Sequence, residues 1–321
     1  MRPPENGVPP LQVEAFGIAL VLHDDLDVPG LLPASHPSGA VSTAVWHDPL
    51  GIRERWAGAH PIRTREMRDA AQLLLSVDHD PDRGYLLDAP GIGTALVSGD
   101  GLEVRCAPDP GTPDWKVLLV GQVLPLAATV RGYEVFHAAG VVIADRSYML
   151  CAAPGTGKTS LAAHLVMGGA ELLSDDVVAL DDSLIAHPGA AVLHVREPEL
   201  ERLGPDPLPG LCRLGTVRGR VTFAVDHPAH ARPLRAIYLL ERSATGATIE
   251  PLPHASPFSL LGATFNLSVR SSVRLVHHLE LCARLAEGVD IFRVRIVPGR
   301  GAAELAGALS AHIDECEFAR V

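Results

Sequence analysis

Cys151-Ala-Ala-Pro-Gly-Thr-Gly-Lys-Thr-Ser-Leu161 is the stretch from which this chain is best read. It has the form of a phosphate-binding P-loop: a glycine-rich turn, then Lys158, then hydroxyls at Thr159 and Ser160. Glycines let successive backbone N–H groups curl around phosphate oxygens. The lysine reaches the β- and γ-phosphates, and the next hydroxyl serves Mg²⁺. A following helix aims its positive N-terminal end at the same anion. Residues 153–160 (Ala153, Pro154, Gly155, Thr156, Gly157, Lys158, Thr159 and Ser160) are therefore the candidate phosphate cradle, with Thr159 as a metal ligand.

The flanks agree with that reading. Ser147-Tyr-Met-Leu-Cys-Ala152 is apolar enough for a buried strand, and Leu161 to Met167 has helical apolar spacing. Ala152 stands where the motif usually has its first glycine. The chain has 27 Lys and Arg together, and only Lys116 and Lys158 are lysine, leaving 25 arginines. One of the two lysines thus falls where a compact ammonium is wanted rather than a guanidinium fork.

With 321 residues and 47% hydrophobic content, one large or two unequal packed domains are expected. The formal net charge of −11 and the lack of a Lys/Arg run argue against nucleic acid and anionic membranes as partners. Five cysteines without CxxC spacing read as free thiols. The N-terminus lacks a signal-like apolar core, and the apolar stretch 117–130 is too short for a bilayer span, so a soluble, cytoplasmic protein is expected.

Short strand-like pieces separated by turn signals fill the first 114 residues, including Gly51 to Arg55, and a helix is predicted over Arg63 to Val77. An apolar segment follows from Trp115. Strands are predicted over 133–137, 140–144, 147–152, 171–176, 190–195, 236–241 and 291–297. Helices are predicted over most of 257–285 and over 302–312, and 204–233 reads as a long loop.

Two further features cluster with the loop in sequence order. Ser174-Asp175-Asp176 ends an apolar strand 17 and 18 residues after Lys158. There one acid can orient the metal shell and the other can accept a proton from an attacking hydroxyl. His137 lies in an apolar run two strands before the loop. Asp181-Asp182 reads as a solvated turn, and His277-His278 cannot share a helix face. Gly91-Ile-Gly93 lacks the rest of a dinucleotide fingerprint. Arg293 and Arg295 read as the solvated face of a strand.

Taken in order, Val135-Phe-His-Ala-Ala-Gly-Val-Val, Gly155-Thr-Gly-Lys-Thr-Ser-Leu-Ala-Ala and Gly168-Gly-Ala-Glu-Leu-Leu-Ser-Asp-Asp-Val-Val resemble the catalytic core of the HPr kinase/phosphorylase family. More closely, they are similar to its diverged members often found beside peptide-modifying enzymes in bacterial biosynthetic clusters. The resemblance is firm over 132–182 and weaker over 115–131 and 236–312. It implies an α/β fold: a P-loop kinase core of the HPr-kinase type over 115–321, with a mixed, strand-rich sheet and flanking helices. A small α+β domain over 1–114, for substrate recruitment or oligomerisation, would precede it. It also implies ATP and Mg²⁺ as cofactors, Asp175 as proton acceptor, Asp176 at the metal and His137 near the γ-phosphate. A later arginine, Arg218 or Arg220, would neutralise transition-state charge. The family signature Glu-x-Arg-Gly-Leu-Gly is absent, and Glu197 is its nearest echo, so neither the reverse phosphorylase reaction nor HPr as substrate follows.

The expected activity is transfer of the ATP γ-phosphoryl to an alcohol: a Ser or Thr of a peptide or protein, or a small-molecule hydroxyl. The alternatives are an ATP-binding regulatory or scaffold protein and a motion-coupled ATPase.

Overall fold

The computed structural model describes residues 10–24, 26–35, 41–112, 114–204, 208–217, 219–244, 246–253, 255–265, 268–297 and 301–318. It is a mixed α/β structure with large mixed sheets and flanking helices. By contacts the chain forms two compact units, Met1–Val135 with Asn266–Val276, and Phe136–Phe265 with His277–Val321. Among the described residues no helix is long and apolar enough to cross a membrane.

The first unit is built on a nine-stranded sheet. Its order is Leu32–Pro33, Leu11–Ala15, Ile18–Leu22, Thr43–His47, Glu103–Pro108, Gly93–Val97, Gly84–Ala89, Gln72–Asp80, Ile62–Asp69. Thr43–His47 runs parallel to both neighbours, and the other pairs are antiparallel. Two local expectations are corrected here. The helix predicted over Arg63 to Val77 is the hairpin Ile62–Asp69 and Gln72–Asp80, turned at Ala70 with φ 49°. Cross-strand partners such as Arg63 with Asp78, and pairing of Gln72–Asp80 with Gly84–Ala89, overrode the helical spacing of Met67, Leu73, Leu74 and Val77. The strand-like Gly51 to Arg55 is a helix, Pro49–Trp56, whose N-cap Asp48 accepts a bond from the Gly51 N–H. Asp followed by Pro is the start signal for such a helix.

Residues 115–130 form a continuous helical segment, Trp115–Leu118, Leu119–Val123 and Leu124–Val130, with one wide turn in the middle. It clusters with the first unit, so the contact boundary falls between Val135 and Phe136 rather than after residue 114. Gln122 accepts a bond from Arg65, and Arg131, just past the segment's end, donates to Thr43, tying it to that sheet.

The sheet of the second unit carries Val178–Leu180, Ile185–His187, Arg232–Arg242, Arg146–Ala152, Ala138–Ile143 and Glu171–Ser174 in that order. Asp290–Ile296 pairs in parallel with Arg232–Arg242, and Thr248–Pro251 is antiparallel to it. Arg146–Ala152 is also parallel to Arg232–Arg242. Side chains of the central strands alternate between two cores. Tyr148 and Leu150 join the helices Lys158–Met167 and Ala302–Phe318 on one face. Met149 and Cys151 meet Leu281, Cys282 and Leu285 on the other. Burial on both faces is why these strands read as near-continuous apolar runs.

At Gly140 on strand Ala138–Ile143, an added Cβ would lie 2.9 Å from Leu173 and 3.0 Å from Val178. Gly140→Val is therefore expected to cost about 2 kcal/mol through overpacking. Urea titration of the purified variant checks this.

The expected long loop at 204–233 contains a hairpin, Leu211–Val217 and Arg220–Val225, completing a three-stranded sheet with Val192–Arg196. The Pro, Gly and Arg content masked a period-two core of Val221, Phe223 and Val225, all buried.

Candidate phosphate-binding site

Strand Arg146–Ala152 runs into the loop 153–157 and then into helix Lys158–Met167. Gly155 has φ 77° and Gly157 φ 107°, and nothing lies within 4 Å of a Cβ at either. Glycine is needed there for backbone conformation, not for space. Gly157 caps the helix without a side-chain bond, so the first-turn N–H groups stay open to an anion. Thr156 folds back, its hydroxyl donating to the Ala153 carbonyl at 2.8 Å.

Lys158 is 5% exposed. Its Nζ donates to the Ala152 carbonyl at 2.8 Å and to His137 Nε2 at 3.1 Å. An ammonium only donates, so Nε2 accepts, the ring proton sits on Nδ1, and Nδ1 donates to the Asp176 carbonyl at 3.1 Å. Burial lowers the Lys158 ammonium from its ordinary value, against the opposing pull of Asp176, Cys151 and Asp175.

Strand Glu171–Ser174 delivers the two acids. Asp175 accepts from the Thr159 hydroxyl at 2.9 Å and from the His194 N–H at 3.1 Å. Its carboxyl is pushed up to about 7, first by desolvation and then by the neighbouring Asp176 charge, while those two hydrogen bonds pull the other way. Asp176 has φ 65°, and the Val177 N–H reaches back to the Asp175 carbonyl at 2.8 Å. That three-residue turn, with a non-glycine residue at positive φ, is a rare and strained conformation. It sends the Asp176 carbonyl to His137 and the carboxylate toward Arg220, whose Nη1 lies 3.7 Å away.

Direct contacts thus join His137, Lys158, Asp176 and Arg220, and separately Thr159 with Asp175. Arg218 lies outside the described residues, and Glu197 makes no hydrogen bond or ion pair among the described residues. Three participants escaped the sequence reading. Glu199 accepts from the Ser160 hydroxyl at 3.4 Å and pairs with Arg202. His194 holds Asp175 through its backbone, and its ring bonds Thr222 at 3.1 Å. Arg242, at the end of strand Arg232–Arg242, donates to the Gly155 carbonyl at 2.8 Å. A strand parallel to the one feeding a P-loop ends beside that loop, which is the signal that could have found Arg242.

The oxygen donors here are the Thr159 hydroxyl and the carboxylates of Asp175, Asp176 and Glu199. Hard oxygen donors of this kind suit Mg²⁺. Among the described residues no three His, Cys, Asp or Glu side chains group as a metal cage by themselves. This fits a metal held by one or two carboxylates together with substrate phosphates.

No family model matches the chain, and no curated protein matches it. Among solved structures it is similar to the Hpr(Ser) kinase/phosphatase from Coxiella burnetii, at 10% identity and a TM-score of 0.31. The match covers 57% of this chain and 99% of that one. At that level the likeness carries no functional weight, which rests on the residues themselves.

Proposed function

We propose that the protein is a kinase that moves the γ-phosphoryl group of ATP to the hydroxyl of a peptide, a protein or a small molecule. The observation that carries this reading is the contact set of Lys158, His137 and Asp176 beside an open glycine loop, with Asp175 bonded to Thr159. The loop N–H groups and Lys158 would hold the donor phosphates. Thr159 and Asp176 would hold Mg²⁺, which supplies charge neutralisation on the phosphates when bound. Asp175 would take the proton of the acceptor hydroxyl as its oxygen bonds to the γ-phosphorus. The bond from that phosphorus to the bridging oxygen breaks, and ADP leaves with the electron pair. His137 would keep Lys158 oriented, and Arg220 and Arg242 would meet charge spreading onto the phosphoryl oxygens. The first unit is proposed to recruit substrate or to oligomerise.

Phosphorus NMR of ATP and Mg²⁺ with the protein and a panel of Ser/Thr peptides and small alcohols tests the proposal. A new phosphoester signal that grows with acceptor supports it. Tight nucleotide binding with no transfer to any acceptor favours instead a nucleotide-binding regulatory protein, a reading to which the missing Glu-x-Arg-Gly-Leu-Gly signature lends weight. Arg242→Gln is expected to raise the KM for ATP several-fold, since the charge-assisted bond that fixes the Gly155 carbonyl of the loop is lost. Initial rates against ATP concentration measure it.

A further inference from the structure

The neighbours His277 and His278 both lie on helix Ser272–Gly288, and the fold sends them to different places. His277 Nε2 is 2.7 Å from a carboxylate oxygen of Asp182. His278 turns inward and is 3% exposed. Its Nε2 is hydrogen-bonded to the Thr264 hydroxyl at 2.7 Å, and its ring lies against Phe136 with 5.6 Å between centroids. A buried imidazole needs partners for its ring nitrogens, so the Thr264 bond is one the fold has a physical reason to keep.

Thr264 belongs to the short segment Ala263-Thr264-Phe265, which follows helix Pro257–Leu261 and runs past His137. His137 sits at the break between strands Glu134–Phe136 and Ala138–Ile143. There its N–H donates to the Ala263 carbonyl at 2.5 Å. Phe136 and Thr264 form an isolated antiparallel bridge. The Phe265 ring is 28° from parallel to the His137 ring, with 6.2 Å between centroids. The segment therefore meets His137 at both its backbone and its ring, while the ring nitrogens face Lys158 and the Asp176 carbonyl.

Resting on the kinase reading above, we infer that His278 is a positioning residue for phosphoryl transfer. An isolated bridge is a single residue pair and does little to fix a segment by itself. Threonine is β-branched and stiff about χ1, so a bond at its hydroxyl also restrains the backbone that carries it. Through Thr264, His278 holds Ala263-Thr264-Phe265 beside the end of strand Glu134–Phe136. That segment keeps the His137 ring where Nε2 accepts from Lys158 and Nδ1 donates to Asp176. If the segment shifts, the ring turns, Lys158 loses one of its two acceptors, and the ammonium is no longer aimed by the site. The loop N–H groups are untouched by such a shift, so the effect falls on the transfer step rather than on nucleotide affinity.

The first readout needs no turnover. Ring-nitrogen NMR of the histidine-labelled full chain, with the His137 signals assigned by their loss in His137→Gln, reports which nitrogen carries the proton. The wild type is expected to show the Nδ1-protonated form. Thr264→Val keeps the side-chain shape and deletes the hydroxyl, and it is expected to give His137 signals averaged between the two tautomers. His278→Leu is expected to do the same, and His278→Gln, whose amide reaches about as far as Nε2, to restore the wild-type signals. Leu285→Ala removes buried volume further along the same helix and is expected to leave the His137 signals unchanged. In initial-rate measurements Thr264→Val is expected to lower kcat about tenfold and to leave the KM for ATP within about twofold, because a displaced positioning group slows the step without removing the phosphate contacts. Wild-type signals in Thr264→Val, or the same change in Leu285→Ala, overturn the inference, and they do so even where the buried leucine of His278→Leu prevents folding. The ring nitrogens are read in the free chain, so that outcome leaves the kinase reading standing. A wild-type chain with the expected His137 signals and no transfer to any acceptor sinks the kinase reading instead.

Discussion

Lys158→Met is expected to lower phosphoryl transfer on the order of 10³-fold in single-turnover measurements, because it removes the cation from the proposed phosphate cradle. Methionine keeps the length and much of the volume of the lysine stem, so the pocket between Ala152 and His137 stays filled. The ammonium is buried, and desolvation already works against its charge. Removing it relieves that cost but leaves the Ala152 carbonyl and His137 Nε2 without their donor. These two effects oppose each other, and the melting temperature is expected to shift by only a few degrees. A variant that folds and still transfers at the wild-type rate would show that Lys158 is structural and that the loop does not serve catalysis.

Asp175→Asn is expected to remove about 10³-fold of transfer while leaving nucleotide affinity within a small factor. The amide oxygen can still accept from Thr159, so the geometry of the helix start is kept. What the amide cannot do is accept the hydroxyl proton. The wild-type pH profile of kcat/KM is expected to rise with pH and to be half-maximal near the value of about 7 reached by this carboxyl, since only the ionised form is a base. The variant's residual rate is expected to lack that limb. Stability carries the same signature with the opposite sense. The carboxyl titrates higher in the folded chain than in the unfolded one, so the contribution of its protonated form is fully present below about pH 4. It is lost as pH rises through about 7. The drop in melting temperature between pH 5 and pH 8 is therefore expected to be smaller for Asp175→Asn than for wild type. An unchanged profile in the variant would rule out Asp175 as the proton acceptor.

The local grammar of the site was readable from the chain. Strand, glycine loop and helix are neighbours in sequence, and Gly155 and Gly157 adopt the positive φ that their residue type permits. The strand carrying Ser174, and the acids after it, were equally plain, because an apolar run ending in Asp-Asp is a short-range pattern. The misread strands came where cross-strand pairing overrode the pattern along the chain. Arg63 to Val77 has the spacing of a helix, yet forms a hairpin because Gln72–Asp80 finds a partner in Gly84–Ala89. The hairpin at 211–225 was hidden by turn-forming residues whose neighbours Val221 and Phe223 pack on a helix some 60 residues earlier in the chain.

What the amino-acid order determined by itself was the strand–glycine loop–helix unit, its lysine and the two acids. Each depends on contacts between residues close in sequence and on conformations available to only a few residue types. What only the tertiary structure decided was which other groups join them. Glu199 rather than Glu197 meets Ser160, the His194 backbone holds Asp175, and Arg242 reaches Gly155. Those partners are 39, 19 and 87 residues apart, and it is strand order and helix packing, not spacing along the chain, that bring them within hydrogen-bond reach.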